Sequence, residues 1–394
     1  MESVSLQKEH NYTLMTLILS WTGMVVMSSL YVSIPLISLF SSTLHISLSK
    51  AAVTSSIFSV GFAVGCFFYG AISEKYGRKN VIVVGMIILS LISLLLGTVN
   101  SFPLLVGLRG LQGLAAATFS PVALAYTLEV FPNERKVGAV GFISTGFLVA
   151  GIVGQLFSSY ISQAFNWHLV FYLLAAVYIA TAFILFYLLP KGVAHNRGKN
   201  IFEPLKQLGS IFKNKNILLS YVIAFVLLMS FVSMYTTLGQ YLSEISAGNS
   251  NQQLFYIRAI GILGMVLSPL SGKLAKQFKV LPVIRFALSL AVVSLVLMGL
   301  TTNIVLLTII SVLFVSGIAL AVPSIISLVG QLGGKMSGIA VSMYTVILFA
   351  GTSLGPVISV AFIHTGSYMI AFILLAATLS VGLIAACLIR KRNA

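Results

Sequence analysis

The stretch GAISEKYGRKN, which begins at Gly70, places four ionised side chains within six residues: Glu74, Lys75, Arg78 and Lys79. Elsewhere charge is scarce, with 8% of the 394 residues ionised, and the acids are seven glutamates with no aspartate. Two arginines, Arg109 and Arg258, stand inside long apolar runs, and Glu129 and Glu244 stand near the ends of such runs. An arginine in apolar surroundings can clamp a carboxylate with its fork of donors. A nearby carboxylate can gate a path or carry a proton. Other chemistries are poorly served. The histidines are scattered, with His45, His168 and His364 near loops and His195 in a basic stretch, so none share ligand spacing. Cys66 and Cys387 lie in separate apolar runs and imply neither a disulfide framework nor a metal site. No nucleophile, base and orienting group come together, and no glycine-rich phosphate loop is present. The expectation is a protein that is not an enzyme, needs no cofactor or metal, and is not driven by ATP.

The elements that hold these groups follow from composition. Hydrophobic residues make up 58% of the chain, whereas a soluble domain carries about 25% charged residues. A bilayer removes the mismatch, because apolar runs of about 20 residues cross it as helices. Twelve runs are expected to cross, near residues 13–40, 48–72, 80–98, 102–130, 136–163, 167–189, 217–243, 252–276, 282–300, 303–330, 336–363 and 367–389. Lys and Arg concentrate on the cytoplasmic side of membrane proteins. With both termini inside, 20 of the 23 basic residues fall in inward segments, Lys50 alone falls outside, and Arg109 and Arg258 lie within crossings. The polar N-terminus leads into an apolar run too long for a signal peptide. The net charge of +16 would suggest nucleic acid in a soluble protein. Here no basic stripe is interleaved with aromatics, so no nucleic-acid partner is expected. The chain divides into a bundle over 1–189, a basic tether over 190–216 and a second bundle over 217–394. Within the tether, Ile201, Phe202, Leu205, Leu208, Ile211 and Phe212 recur at helical spacing, which suggests an amphipathic helix on the membrane surface.

The halves repeat at an offset near 202. FFYGAISEKYGRKNVIVVG, around Gly70, aligns with PLSGKLAKQFKVLPVIRFA, around Gly272. Pro121 aligns with Pro323, and Gly154 with Gly355 within one residue. Tyr31 and Tyr235 fall in corresponding first crossings. Duplicated halves around a midplane site are a transporter signature.

On these residues the chain resembles a major facilitator superfamily transporter over nearly its whole length. GAISEKYGRKN resembles that family's loop between the second and third crossings, with Glu74 in place of the usual Asp and Lys75 in place of the usual Arg. LRGLQGLAAA, with Arg109 and Gly113, resembles its fourth-crossing motif. Gly146, Gly151 and Gly154 lie where drug:proton antiporters carry a Gly-rich, Pro-containing motif, but Pro is absent; a Gly-x-x-x-Gly-Pro version occurs instead at Gly351, Gly355 and Pro356. The resemblance implies an all-α integral membrane protein of two pseudo-symmetric six-helix bundles. It implies that Gly70, Glu74, Gly77 and Arg78 form an inner latch, with Glu74 facing the eleventh crossing near Gly333–Gly338. Arg78 would pair with Glu129 or Glu134. The second half lacks the acid, because Lys276 sits where Glu74 sits in the first.

Two readings are open for the arginines. Arg109, about 10 Å below the outer end of its helix, and Arg258 could both snorkel outward. Alternatively they face the central cavity. Glu244 could pair with Arg258 as an outer gate or simply meet water; it is the outer candidate for proton coupling and Glu129 the inner one. The first crossing has no acid, although drug:proton antiporters often carry one there. The family implies a cavity among crossings one, four, seven and ten. Trp21, Met24, Met27 and Tyr31, with Gln112, Met234, Tyr235, Gln240, Met343 and Tyr344, are candidate lining residues, since methionine and aromatic groups adapt to varied apolar shapes. The expected function is proton-coupled efflux of a small amphiphilic or drug-like molecule by alternating access. The second reading is transport of an anionic metabolite clamped by Arg109 and Arg258. The protein is expected in a bacterial plasma membrane, as a monomer, with the lipid bilayer, a small-molecule substrate and protons as its partners.

Overall fold

The computed structural model describes residues 11–190, 208–245, 250–364 and 366–389. The helices are α1 (Tyr12–Tyr31), α2 (Ser33–Thr43), α3 (Leu48–Tyr76), α4 (Arg78–Leu96), α5 (Phe102–Ala116), α6 (Ser120–Val130), α7 (Asn133–Ala164) and α8 (Trp167–Leu188) in the first half. The second half holds α9 (Leu208–Lys213), α10 (Lys215–Ile245), α11 (Ser250–Met265), α12 (Leu270–Phe278), α13 (Val280–Gly299), α14 (Ile304–Gly333), α15 (Ser337–Ile363) and α16 (Tyr368–Leu388). Most of the tether, including Ile201, Phe202, Leu205 and His195, lies outside the described residues; its end is the short α9.

Eleven of these spans are long and apolar enough to cross a bilayer as they stand. The twelfth is α11 with α12, bent by 41°. The hydropathy pattern expects a single crossing near 252–276 and gives no sign of a bend. Pro269 explains the difference: it has no N–H for the ladder, and the chain around it tightens into three-residue turns, with Ser268 N donating to Met265 O and Leu270 N to Leu267 O. The first crossing is interrupted at Val32, where Pro35 supplies no N–H to the Tyr31 carbonyl. The fourth breaks at Ala117–Phe119, just before Pro121. Pro323, aligned with Pro121, sits inside the continuous α14.

Within the first half α1 packs on α7, α3 on α5 and α4 on α8; within the second α10 packs on α15, and α13 on α14 and α16. The chain thus forms two pseudo-symmetric six-helix bundles. The seam of α1 on α7 shows how. Ser20 Oγ donates to Phe142 O and Ser28 Oγ to Ala150 O. A Cβ on Gly146 would collide with the Ser20 carbonyl. The seam of α10 on α15 repeats this: Ser233 Oγ donates to Gly355 O, Thr237 and Ser359 share a hydroxyl bond, and a Cβ on Gly351 would strike the Phe225 carbonyl. All four side-chain bonds join residues 122 apart. The register here is therefore 205, pairing Gly146 with Gly351 and Ala150 with Gly355. The sequence alignment of Gly154 with Gly355 is corrected by one helical turn.

Candidate functional site

A cavity of about 600 Å³ opens between the halves on the side away from the Gly77 turn. Its walls come from α1, α2, α3, α7, α10, α11 and α15. The polar groups on it are hydroxyls and one amide: Ser55, Ser56 and Ser59 on α3, Gln155 on α7, Thr236 on α10, and Thr352 with Ser353 on α15. Tyr31 and Tyr235, on corresponding helices and one residue out of register, face it from the two halves, and Arg258 is the one ionised side chain on its wall among the described residues. Below it, toward the Gly77 turn, lies a smaller space of about 60 Å³. Ser120 on α6, Val322 and Ile326 on α14, Ser144 and Tyr344 line this space, and Tyr31, Phe231 and Thr352 border both. The fourth and tenth crossings thus reach only this lower space, not the main cavity the family pattern led us to expect.

The two membrane arginines have different fates, and neither snorkels freely. Arg109 is fully buried inside the first bundle. Its Nε donates to Thr54 O at 3.3 Å, Nη1 to Ser29 O at 3.0 Å, Nη2 to Ser33 Oγ at 3.0 Å, and Nη1 also to Gln112 Oε1. The guanidinium lies over Phe58, 4.5 Å from the ring centre, and Gln112 is itself anchored by donating to Ser93 Oγ. Arg109 and Gln112 therefore stand behind the wall. One link to it runs through Ser33, whose hydroxyl meets that of Ser55 at 2.8 Å. Arg258 instead lies half-buried against the face of Tyr235, 5.3 Å from the ring centre.

Several expected lining residues lie elsewhere. Trp21 is 47% exposed and its Nε1 donates to Thr181 on α8, so it faces away from the cavity. The stripe Trp21–Met24–Met27–Tyr31 winds: ten residues at about 100° each leave its two ends about 80° apart around the helix. Met27 and Tyr31 reach the interior, while Met24, Met234 and Met343 pack within the bundles. Gln240 is exposed near the end of α10. Of the two readings open for Glu244, the pair with Arg258 is not formed: exposed Glu244 accepts a hydrogen bond from the Tyr368 hydroxyl at 2.7 Å. The hydroxyls of α3 and Gln155 were missed by the sequence reading. Ser55, Ser56 and Ser59 at i, i+1 and i+4 mark one helix face, and that spacing was the available signal.

The opposite end is closed. Gly77 turns the chain at φ +87°, a conformation glycine adopts without strain. This sets Arg78 at the start of α4, where its Nε donates to Glu129 Oε2 at 2.6 Å and its Nη1 to Ser73 Oγ at 3.2 Å. Glu74 lies 3.9 Å from Arg78 Nη2. Both charges are buried, at 8% and 5% exposure. They rest on the first turn of α15, where a Cβ on Gly338 would collide with Glu74 Oε1 and stand 2.8 Å from Arg78 Nη2. One turn along each helix, a Cβ on Gly70 would strike Ser342 Oγ. Of the two glutamates weighed for Arg78, Glu129 is the partner and Glu134 is exposed. The matching seam of the second half has no ion pair among the described residues: Gly272 on α12 lies backbone to backbone on Gly138 of α7, where a Cβ would come within 2.6 Å of Gly138 Cα. Gly151 and Gly154, by contrast, lie on α7 against Tyr31 and Ser28, within the first bundle. Pro356 follows Gly355 on α15.

Comparison with known proteins agrees with this architecture. The family model for the Major Facilitator Superfamily matches residues 19–356. The chain belongs to this superfamily. It is a multi-pass membrane transporter and not an enzyme. Among relatives, an uncharacterized transporter of Buchnera aphidicola subsp. Schizaphis graminum is 25% identical over 298 residues, 74% of this chain and 70% of that one. A bicyclomycin resistance protein homolog of Haemophilus influenzae is 30% identical over 150 residues, 38% of this chain and 37% of that one. The fold also matches the crystal structure of FucP in the outward conformation, with TM-score 0.78 and 14% identity, covering 97% of this chain and all of that one.

Proposed function

We propose that the transporter exports a small amphiphilic or drug-like molecule by alternating access in exchange for protons. The observation that carries this reading is the pairing of a mostly apolar cavity of about 600 Å³, open at one end, with a sealed seam at the other. The volume suits a drug-sized ligand. Two relatives have names that speak of resistance, the bicyclomycin resistance protein homolog and multidrug resistance protein 3 of Bacillus subtilis, the latter 26% identical over 153 residues. In this reading the residues 1–189 and 217–394 rock as two bodies, and the latch of Glu74, Arg78 and Glu129 holds the cytoplasmic side shut, with both termini on that side. The latch glutamates and Glu244 are the candidate proton carriers, since no acid lines the cavity among the described residues.

The test is transport in proteoliposomes across cationic, neutral and anionic amphiphiles, with and without an imposed pH difference. Export driven by the pH difference is the expected result. Glu74→Gln should cut it while leaving protein yield intact. Transport indifferent to the pH difference would remove the proton from the scheme. The second reading, an anion carrier, retains only Arg258 of its two arginines, because Arg109 already spends its donors on Ser29, Ser33, Thr54 and Gln112.

A further inference from the structure

We infer that the cavity takes singly charged organic anions, seated on Arg258 between Tyr31 and Tyr235. This rests on the carrier reading above and narrows its substrate class. The argument is a contrast. A buried arginine is tolerated when built-in acceptors take its N–H groups, and Arg109 meets that condition with four of them. Arg258 does not. Among the described residues, no carboxylate lies within ion-pair distance of it and no acceptor takes its N–H groups. Its contact is the ring face of Tyr235, which attracts the cation but leaves the fork of donors unused. Tyr31 lines the same cavity, within electrostatic reach of the guanidinium. The Tyr235 hydroxyl is buried against Gly261 without a hydrogen-bond partner, so it takes none of the guanidinium's N–H groups.

The chemistry that completes this arrangement is a compact anion with two oxygens, such as a carboxylate, taking paired bonds from the guanidinium. Among the described residues, a second negative charge on the ligand would find no second cation on the wall. A cationic ligand would find no acid among the described wall residues and would meet Arg258 itself. The apolar remainder would lie against Leu148, Ile152 and Phe231. The anion also bears on the transport cycle. Closing the cavity empty would strip water from a bare guanidinium, whereas closing it on an anion buries a neutral pair.

The test reads the cavity's charge directly. In a Cys66→Ser, Cys387→Ser background, Ser56→Cys places a thiol on the exposed cavity wall. It is labelled with anionic methanethiosulfonate ethylsulfonate or with its cationic trimethylammonium analogue, each rate being normalised to a free thiol. The anionic reagent should react faster. Arg258→Gln should lower the anionic-to-cationic ratio by about tenfold, and Arg258→Lys should largely preserve it. In a second arm, 4-phenylbutyrate should slow labelling more than 4-phenylbutyramide or 4-phenylbutylamine, and Arg258→Gln should erase that difference. An unchanged ratio in Arg258→Gln, or better protection by the amine, overturns the inference. The carrier reading fails separately: if the Ser56→Cys thiol reacts from one membrane face under every condition, alternating access is wrong, whatever the ratio shows.

Discussion

At the residue scale, the two intramembrane arginines were legible in the sequence as exceptions, since each interrupts a long apolar run. Their different roles were not. What separates them is the set of acceptors around each, and Ser29, Ser33 and Thr54 come from other helices, so no local pattern announces them. The difference is measurable. Arg109→Ala leaves a buried Gln112 and two carbonyls without their donor and should cost on the order of 2–4 kcal/mol, read as a lower melting temperature in detergent. Arg258→Gln, facing the cavity, should leave the melting temperature nearly unchanged. Equal losses would contradict this division. Lys279 offers another residue-scale case. It occupies the place of Gly77 in the repeat and takes φ +68° with ψ 162°, a region almost reserved for glycine. Lys279→Gly should raise stability by about 1 kcal/mol, measurable in the same melt.

Element boundaries came readily from hydropathy, because a crossing must be long and apolar whatever its partners. Breaks and facing directions did not. The bend at Pro269 depends on how the chain re-forms its hydrogen bonds, and the drift of the Trp21–Tyr31 stripe depends on helical pitch against the neighbouring α7 and α8. Glycines sort the same way. Sequence showed them as numerous, whereas packing shows which ones matter. Gly338→Val should wedge α15 from the Glu74–Arg78 pair and loosen the closed seam. A cysteine at Ser120, beneath that seam, should then react faster with an impermeant thiol reagent from the latch side, roughly tenfold for each 1.4 kcal/mol lost. Gly107 has open space around it, so Gly107→Ala should leave labelling unchanged and favour the helix by about 0.5–1 kcal/mol. A Gly338→Val protein that labels like the parent would mean the seam does not depend on this contact.

For the whole molecule, the internal repeat was visible from a few glycines and prolines, but its register was not uniform. The offset is 202 at Gly70 and Gly272 and 205 at Gly146 and Gly351, because the connecting segments of the halves differ in length. A sequence comparison at one offset slides past this. The two tight seams inside the bundles should be equivalent: Gly146→Leu and Gly351→Leu each push a side chain into a facing carbonyl and should reduce folded yield to a similar degree. Strongly unequal losses would show that the halves are not packed alike.

The closed end does not share that equivalence. Three charged groups clasp α3 and α4 to α6 and α15 on one flank, while on the other flank backbone lies directly against backbone at Gly272 and Gly138. A floor built this way has a buckle on one edge and a pivot on the other. It would swing like a side door, with the passage first appearing beside Glu74, so that a duplicated fold opens lopsidedly.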